Sequence, residues 1–388
     1  MFGMTRRIRR AGRDRGAVAP LVAVIFGSGI LVASGALVID VGQAYSERAQ
    51  LQNGADSAAL AVARGCARGS THCDPGTSAT SVAGAHANSN AKDGTSSVTV
   101  VCGRDLFGHP ILSTSCPAPI ATKKLSCADA PSTTVRYAEV HTRTRTTGGG
   151  SVLPPAFGRA VLGEDYPGMQ VNACARAAWG PPAKGNGLAL TISYCEWESY
   201  IQSQGGTASN PIYADPPPAV PPTSAQIVIY FHDTNPNPTH CVAGPSGFDV
   251  PGDFGSTTDT TNTCITDFNF DAANGTTTYV ADPGSSLSNA CKAALVNSAT
   301  SHEVTFMPIY DKVTGTGSNG TYTLWSMAAF VVTGYYWPDW KQKSWLTNAY
   351  PCGGSARCLS GYFTTGLTSG GSIGSGTGAG AAVVQLVD

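Results

Sequence analysis

Histidines are the first residues to test for catalysis or metal binding, and their spacing supports neither. None stands in a repeat such as HExxH, which places two zinc ligands on one face of a helix. Only His232-Asp233, directly after the apolar segment 226–231, lies at a strand end, where binding and catalytic residues are common. The histidines are His72, His86, His109, His141, His232, His240 and His302.

Motifs for a serine nucleophile or a bound phosphate are also missing from the sequence. GxSxG occurs only in a broken form at 371–375, inside glycine- and serine-rich sequence, and the GxxxxGK[ST] loop does not occur. We therefore expect a protein that is not an enzyme and that holds no cofactor and no metal.

The twelve cysteines all follow residue 65, and their even number indicates disulfides formed in an oxidising compartment. No CxxC spacing occurs, so a zinc site is the less favoured interpretation. Short separations predict three local bridges, although spacing alone leaves the connectivity open: Cys66–Cys73, Cys241–Cys264 and Cys352–Cys358. The third pair is the most strongly favoured, because the intervening residues are flexible without a constraint.

Six arginines lie near the start of the chain and precede one long apolar segment. They are Arg6, Arg7, Arg9, Arg10, Arg13 and Arg15, and Asp14 is the only acid among them. The 23 residues 17–39 carry no charge, and about 20 helical residues suffice to cross a bilayer. The sequence predicts a cytoplasmic segment 1–16, a transmembrane helix 17–39 that contacts membrane lipid, and a body exported beyond the cell membrane, with N-in/C-out topology. A cleaved signal ending at 34–36 is the less favoured alternative, since apolar residues continue past it.

Beyond the span, Leu51, Ala55, Ala58, Ala59 and Val62 recur at helical spacing, so a stalk helix is predicted over 40–65. Small residues four apart in the span, at 23/27 and 29/33, would let two helices approach closely in lipid. Self-association through this face and a simple abundance of glycine and alanine are equally good interpretations.

Four parts of this N-terminal region form a combined pattern: 14–19, the apolar span, Asp40-Val41-Gly42, and 51–61 with the sequence LQNGADSAALA. The pattern resembles the TadE/TadG-like module of the Tad (tight adherence, Flp-type) pilus-assembly membrane proteins. The resemblance implies a bitopic protein that assists assembly without catalysis and whose partners are other Tad pilus-assembly proteins. It marks Asp40, Gly42, Gln52 and Asp56 as family-motif positions.

Three details qualify what the resemblance implies. Pilins of this system have Glu five residues after the cleaved glycine, whereas Leu21 follows Gly16 at that distance, so processing is not expected. The string 93–97 departs from the DxSxS metal motif of some relatives and is interpreted as a turn. For each of Asp40 and Asp56, a solvated carboxylate is favoured over a contact with a partner.

The rest of the chain predicts a β-rich body, giving an α+β fold overall. Glycine (46) and proline (25) are abundant and only 13% of residues are charged. Two modules are predicted, 66–182 and 183–388, and the apolar end 381–387 is expected to return as a strand. Strand-like segments lie at 97–102, 133–144, 170–178, 188–193, 226–231, 303–309, 327–336 and 382–387.

Charge and aromatic residues narrow the functional classes. Without the six arginines and Asp14, 18 Lys and Arg remain against 24 Asp and Glu, which gives no indication of nucleic-acid binding. The leading hypothesis is a non-enzymatic, membrane-anchored component of Flp/Tad-type pilus assembly or cell-surface adhesion. The alternative is a membrane-tethered hydrolase or carbohydrate-binding domain, in which the Tyr/Trp cluster 335–340 would stack on sugars; the same cluster could equally be core.

Overall fold

A long N-terminal helix stands against a β-rich body in the computed structural model. The structure describes residues 18–69, 73, 78–104, 116, 127, 136–231, 254–259, 262–275, 277–281, 287–315, 320–369, 371–376 and 378–387. The predicted cytoplasmic segment 1–16 lies outside these ranges. The α+β class and the β-rich C-terminal region are as expected.

Helix α1 runs without a break from Val18 to Ala67, two residues beyond the predicted stop at Gly65. Large apolar side chains are exposed between Val18 and Phe26 and again between Leu37 and Val41, whereas small apolar side chains from Ala55 to Ala63 are buried. No helix in the described ranges is both long enough and apolar enough to span a membrane.

The first sheet has five strands among the described residues, and their order in space is β1 (Ser97–Arg104), β2 (Arg136–Arg143), β3 (Asn172–Gly180), β15 (Ala381–Val387) and β14 (Gly366–Leu367). All neighbours pair antiparallel except β14 and β15, which run parallel. Strand β15 pairs with β3, so the apolar segment 381–387 returns as a strand, as expected.

The second half of α1 and helix α2 (Ser78–Ser89) pack on one face of this sheet. Alanines fill most of the interface, and they let the backbones come close together. At Gly54 a Cβ atom would lie only 3.1 Å from the Ala87 carbonyl oxygen of α2. Glycine at this position therefore sets the distance between the two helices.

A second sheet has eight strands among the described residues, and its longest strand is β11 (Thr321–Trp337). Helices α4 (Tyr194–Ser203) and α5 (Asn289–Ser301) lie beside it, while β4 (Lys184–Leu188) and β8 (Ile265–Asn269) form a separate pair. The eight strands are β5 (Leu190–Ser193), β6 (Ile227–Tyr230), β7 (Phe254–Ser256), β9 (Thr278–Val280), β10 (Thr305–Thr314), β11 (Thr321–Trp337), β12 (Trp340–Gln342) and β13 (Cys358–Thr364).

Aromatic side chains dominate the core of the second sheet. Tyr200 of α4 is buried and donates a hydrogen bond from its hydroxyl to the Phe363 carbonyl, at 3.0 Å. Tyr335 and Trp337 of the Tyr/Trp cluster are also buried, and Tyr335 stacks on Trp340. Tyr335 and Trp337 are therefore part of the core and are not available for stacking on a sugar.

Disulfides join neighbouring elements of the body. The predicted bridges Cys66–Cys73 and Cys352–Cys358 are both present. The predicted pair Cys241–Cys264 is wrong, because Cys264 is bonded to Cys291 at the start of α5. Two further bridges, Cys102–Cys116 and Cys127–Cys174, each bond a cysteine from between β1 and β2 to a strand of the first sheet.

Candidate functional site

Asp40 lies where the exposed half of α1 ends, and its carboxylate binds a distant segment of backbone. Oδ1 accepts hydrogen bonds from the amides of Ala156 (2.8 Å) and Phe157 (3.1 Å). The side chain is only 8% exposed. The favoured interpretation of a solvated carboxylate is thus wrong for Asp40, which satisfies two backbone donors ahead of the short helix α3 (Gly158–Leu162).

Gly158 leaves room for this contact. A Cβ atom built at Gly158 would lie 2.7 Å from Asp40 Oδ2 and 2.9 Å from a ring carbon of Tyr166, both closer than carbon atoms normally approach. Asp40 and Gly158 therefore form a matched pair, in which the absence of a side chain on one makes room for the carboxylate of the other.

Gln52 and Asp56 act together about three to four turns of helix beyond Asp40, in the body-facing half of α1. Gln52 Nε2 donates to the carbonyl oxygen of Cys174 in β3 at 2.9 Å and to Asp56 Oδ1 at 2.8 Å. Gln52 and Asp56 are four residues apart, the spacing at which a helical amide and carboxylate meet. Asp56 thus orients the amide that fastens the helix to the sheet.

Additional contacts between α1 and the body were not identified from the sequence. The Thr142 hydroxyl donates to the Leu51 carbonyl oxygen at 3.0 Å, and the Lys92 amide donates to Gln50 Oε1 at 2.7 Å. Burial raises the pKa of the Glu47 carboxyl, a hydrogen bond from Thr144 opposes that rise, and the charge of Asp93 adds to it. We call the set Asp40, Glu47, Gln50, Leu51, Gln52 and Asp56 the helix–body junction.

Helical periodicity was the signal that could have placed Asp40 in the junction. At about 100° per residue, 18 residues complete five turns, so Asp40 shares its face with the buried Ala58. Leu51 lies about 20° from that line. By contrast, Gly42 is exposed and an added Cβ would meet nothing within 4 Å, so this motif residue is not part of the junction.

The opposite face of the first sheet carries a buried charge cluster. Arg176 Nε donates to Glu139 Oε2 at 2.5 Å, and His141 Nε2 lies 2.5 Å from Glu139 Oε1. Cys102 and Cys174 approach the same carboxylate, but both are in disulfides and therefore lack the thiolate that binds metals. The cluster ties β2 to β3 beneath the two bridges.

The remaining sequence candidates are dispersed. His86 meets the Ser57 hydroxyl at 3.3 Å and His302 stacks on Trp345. Asp93 accepts from the Thr95 amide and hydroxyl at 3.1 and 2.8 Å, which is a local turn, as expected. The candidates His72, His109, His232, Asp233, His240 and Cys241 lie outside the described residues.

A cleft of about 350 Å³ opens where the C-terminal end of α1 meets the body. Arg136, Trp179 and Tyr213 line it together with main chain and small side chains. Its described lining residues include no His, Asp or Glu.

Comparison with known families decides which part of this geometry is shared with other proteins. Residues 16–65 match the family described as putative Flp pilus-assembly TadE/G-like. The resemblance inferred from the sequence is thereby confirmed for this TadE/G-like segment. No curated protein and no solved structure matches the chain.

The TadE/G-like segment coincides with the functional geometry of α1. It contains Asp40, Gln52 and Asp56, and it ends two residues before the helix does. The partners of these side chains, at 156–157 and at Cys174, lie beyond residue 65 and outside the family match. The shared segment thus supplies one side of the junction, and the body supplies the other.

Proposed function

We propose that the protein is a membrane-anchored component of a Flp/Tad-type pilus-assembly apparatus, and that it binds and positions other components without catalysing a reaction. The observation that carries the proposal is the family match over 16–65, which spans both the apolar half of α1 and its junction with the body. The TadE/G-like segment is described by its role in pilus assembly, so we assign the partners to that apparatus.

Exposure along α1 supports membrane anchoring. Between residues 18 and 41, large apolar side chains are exposed at 18, 21, 22, 24, 25, 26, 37, 38, 39 and 41. At about 100° per residue these positions point in every direction around the helix. A helix that is apolar on all sides is stabilised by an apolar surrounding, and a bilayer supplies one. The arginine-rich start favours retention of the N-terminus in the cytoplasm.

The junction supports a positioning role. Asp40 and Gln52 lie twelve residues apart, about 18 Å along a helix, and both bind main-chain atoms of the body. Hydrogen bonds at two levels restrict rotation of the body about the helix axis as well as tilting. A partner that binds the membrane helix would therefore meet the exported body in one orientation.

The test uses the full chain in the membranes of a bacterium that carries a Tad system. We expect the chain to stay in the membrane after alkaline carbonate extraction, with the body accessible to protease only from the outside. After crosslinking, co-purified proteins should include other Tad components. A matched variant with Val24→Arg and Ile25→Arg should lose retention, because charges in the middle of a span oppose insertion. Extraction of the wild-type chain, or crosslinks that exclude Tad components, would contradict the proposal.

A further inference from the structure

One face of α1 is covered at the level where the apolar run ends. Ala36 and Asp40, one turn apart, are each only 8% exposed, whereas Leu37, Val38 and Ile39 between them are exposed. Side chains four residues apart lie above one another on a helix. Asp40 binds the backbone at 156–157, and α3 packs against α1. The segment 154–163 therefore lies beside the last turn of the apolar run.

This segment presents large apolar side chains of its own. Phe157, directly before α3, is 49% exposed, and Leu162, the last residue of α3, is 64% exposed. Arg159 between them is exposed, and its Nε donates to the Tyr166 carbonyl at 3.4 Å. Two exposed apolar side chains and a cation thus lie on the segment that packs beside the last turn of the apolar run.

We propose that segment 154–163 is a second membrane contact, which rests in the outer interfacial layer of a phospholipid bilayer. Phe157 and Leu162 insert at the boundary between headgroups and acyl chains, and Arg159 binds lipid phosphate. An aromatic ring, an aliphatic side chain and a cation together are the composition that favours this layer. The inference rests on the membrane anchoring proposed above.

Asp40 has a defined role in this arrangement. Its carboxylate holds the segment by two amide hydrogen bonds at the height where the apolar run ends, so the segment and the helix enter the bilayer together. We call these two hydrogen bonds to Asp40 the clamp. Without the clamp, Phe157 would no longer be held at a fixed depth in the bilayer.

The experiment places a tryptophan on the segment in the full chain and measures quenching by lipids brominated on their acyl chains. Phe157→Trp and Leu162→Trp are independent reporters, and Val220→Trp, at a 71% exposed apolar position between α4 and β6, is the matched control. The emission of the native protein is subtracted. In vesicles of phosphatidylcholine and phosphatidylglycerol we expect the added emission at 157 and 162 to fall about twofold and that at 220 to stay unchanged.

Flotation of the same vesicles separates the possible failures. If the chain floats but the added tryptophans at 157 and 162 are quenched no more than that at 220, the inference is overturned and the anchoring stands. Shielding of both from aqueous iodide without bromolipid quenching would assign the surface to a protein contact and would also overturn it. If the wild-type chain does not float, the anchoring fails and the inference fails with it. Adding Asp40→Ala to Phe157→Trp should reduce the bromolipid quenching.

Discussion

Removing the Asp40 carboxylate should release segment 154–163 from α1 while leaving the body folded. In Asp40→Ala, the amides of Ala156 and Phe157 lose the oxygen that now accepts from both. The contact is nearly inaccessible to solvent, so water replaces it only after the segment opens. The perturbation is therefore local, and its size can be worked from the two hydrogen bonds.

A hydrogen bond to a charged acceptor contributes about 1.5–3 kcal/mol, so the loss of two should cost about 3 kcal/mol in the closed state after partial compensation. At about 1.4 kcal/mol per tenfold, the open population of the segment rises by about 150-fold. Asp40→Asn keeps one side-chain oxygen but replaces the other with an NH2 group, which donates instead of accepting. It should therefore also raise the open population, by less than Asp40→Ala does.

Hydrogen exchange of peptides covering 154–163, measured on the full chain in a bilayer mimic, reports this opening. Asp165→Ala, which removes an exposed acid from the following turn, is the control and should exchange like the native protein. Gly158→Ala should also accelerate exchange, because its methyl group would meet Asp40 Oδ2, and its effect should be less than additive with Asp40→Ala. Unchanged exchange in Asp40→Ala would refute the assignment of Asp40 as the clamp.

Three further predictions concern the body-facing half of α1, each measured as a melting temperature in detergent. Gln52→Ala should cost about 1 kcal/mol through its lost bond to β3, and Gln43→Ala, at an exposed position, should cost less; equal effects would contradict this. Gly54→Val should cost about 1–3 kcal/mol by overpacking against α2, whereas Gly42→Ala, which meets open space, should gain about 0.5–1 kcal/mol; a tolerated Gly54→Val would refute close helix packing. Burial raises the pKa of Glu47 above its ordinary 4.5, so the folded state binds the proton more tightly than the unfolded state does. The free energy of unfolding therefore falls as the pH rises from the ordinary pKa through the raised one. Glu47→Gln should thus stabilise the protein at neutral pH and lose that advantage below about pH 4; a pH-independent difference would contradict the burial argument.

The helix could be predicted from sequence because its signals are local. Alanine and leucine recur at helical spacing through 51–62, and Pro20 falls in the first turn, where it is tolerated. The β-rich body was likewise visible, since β-branched residues alternate between glycine and proline breaks. The position of strand β15 in the first sheet could not be predicted, because nothing in the sequence 381–387 identifies β3 as its pairing partner.

The error in disulfide pairing has a quantitative origin. Cys264 could close a loop of 23 residues with Cys241 or of 27 with Cys291, and the logarithmic dependence of loop entropy on length separates these by only about 0.1 kcal/mol. The choice is made by α5, whose first turn carries Cys291 into the core of the second sheet. Cys66–Cys73 and Cys352–Cys358 had no competing partner at similar distance, so spacing sufficed for them.

Asp40 was misjudged for a different reason. Its partners are two backbone amides 116 and 117 residues away, and a backbone amide leaves no mark in a sequence. The helical face of Asp40, however, was calculable, because it is the face of Leu51 and Ala58. A charge on the buried stripe of a helix implies a partner in the body, since an unpaired buried carboxylate is costly.

That stripe also explains how one helix serves two surroundings. From Val62 down to Ala36 a single face of α1 is covered by the body, first by the sheet and then by segment 154–163. Helix α1 is continuous, so one side of it can be followed along its whole length. The side that segment 154–163 leaves uncovered near residue 38 is the same side that faces away from the sheet between residues 51 and 62. A second protein that approaches α1 at the level of residues 36–40 must therefore come from the side opposite to Asp40. Crosslinkers placed at Val38 should capture such a neighbour, whereas those placed at Ala36 should react within the chain, with 154–163.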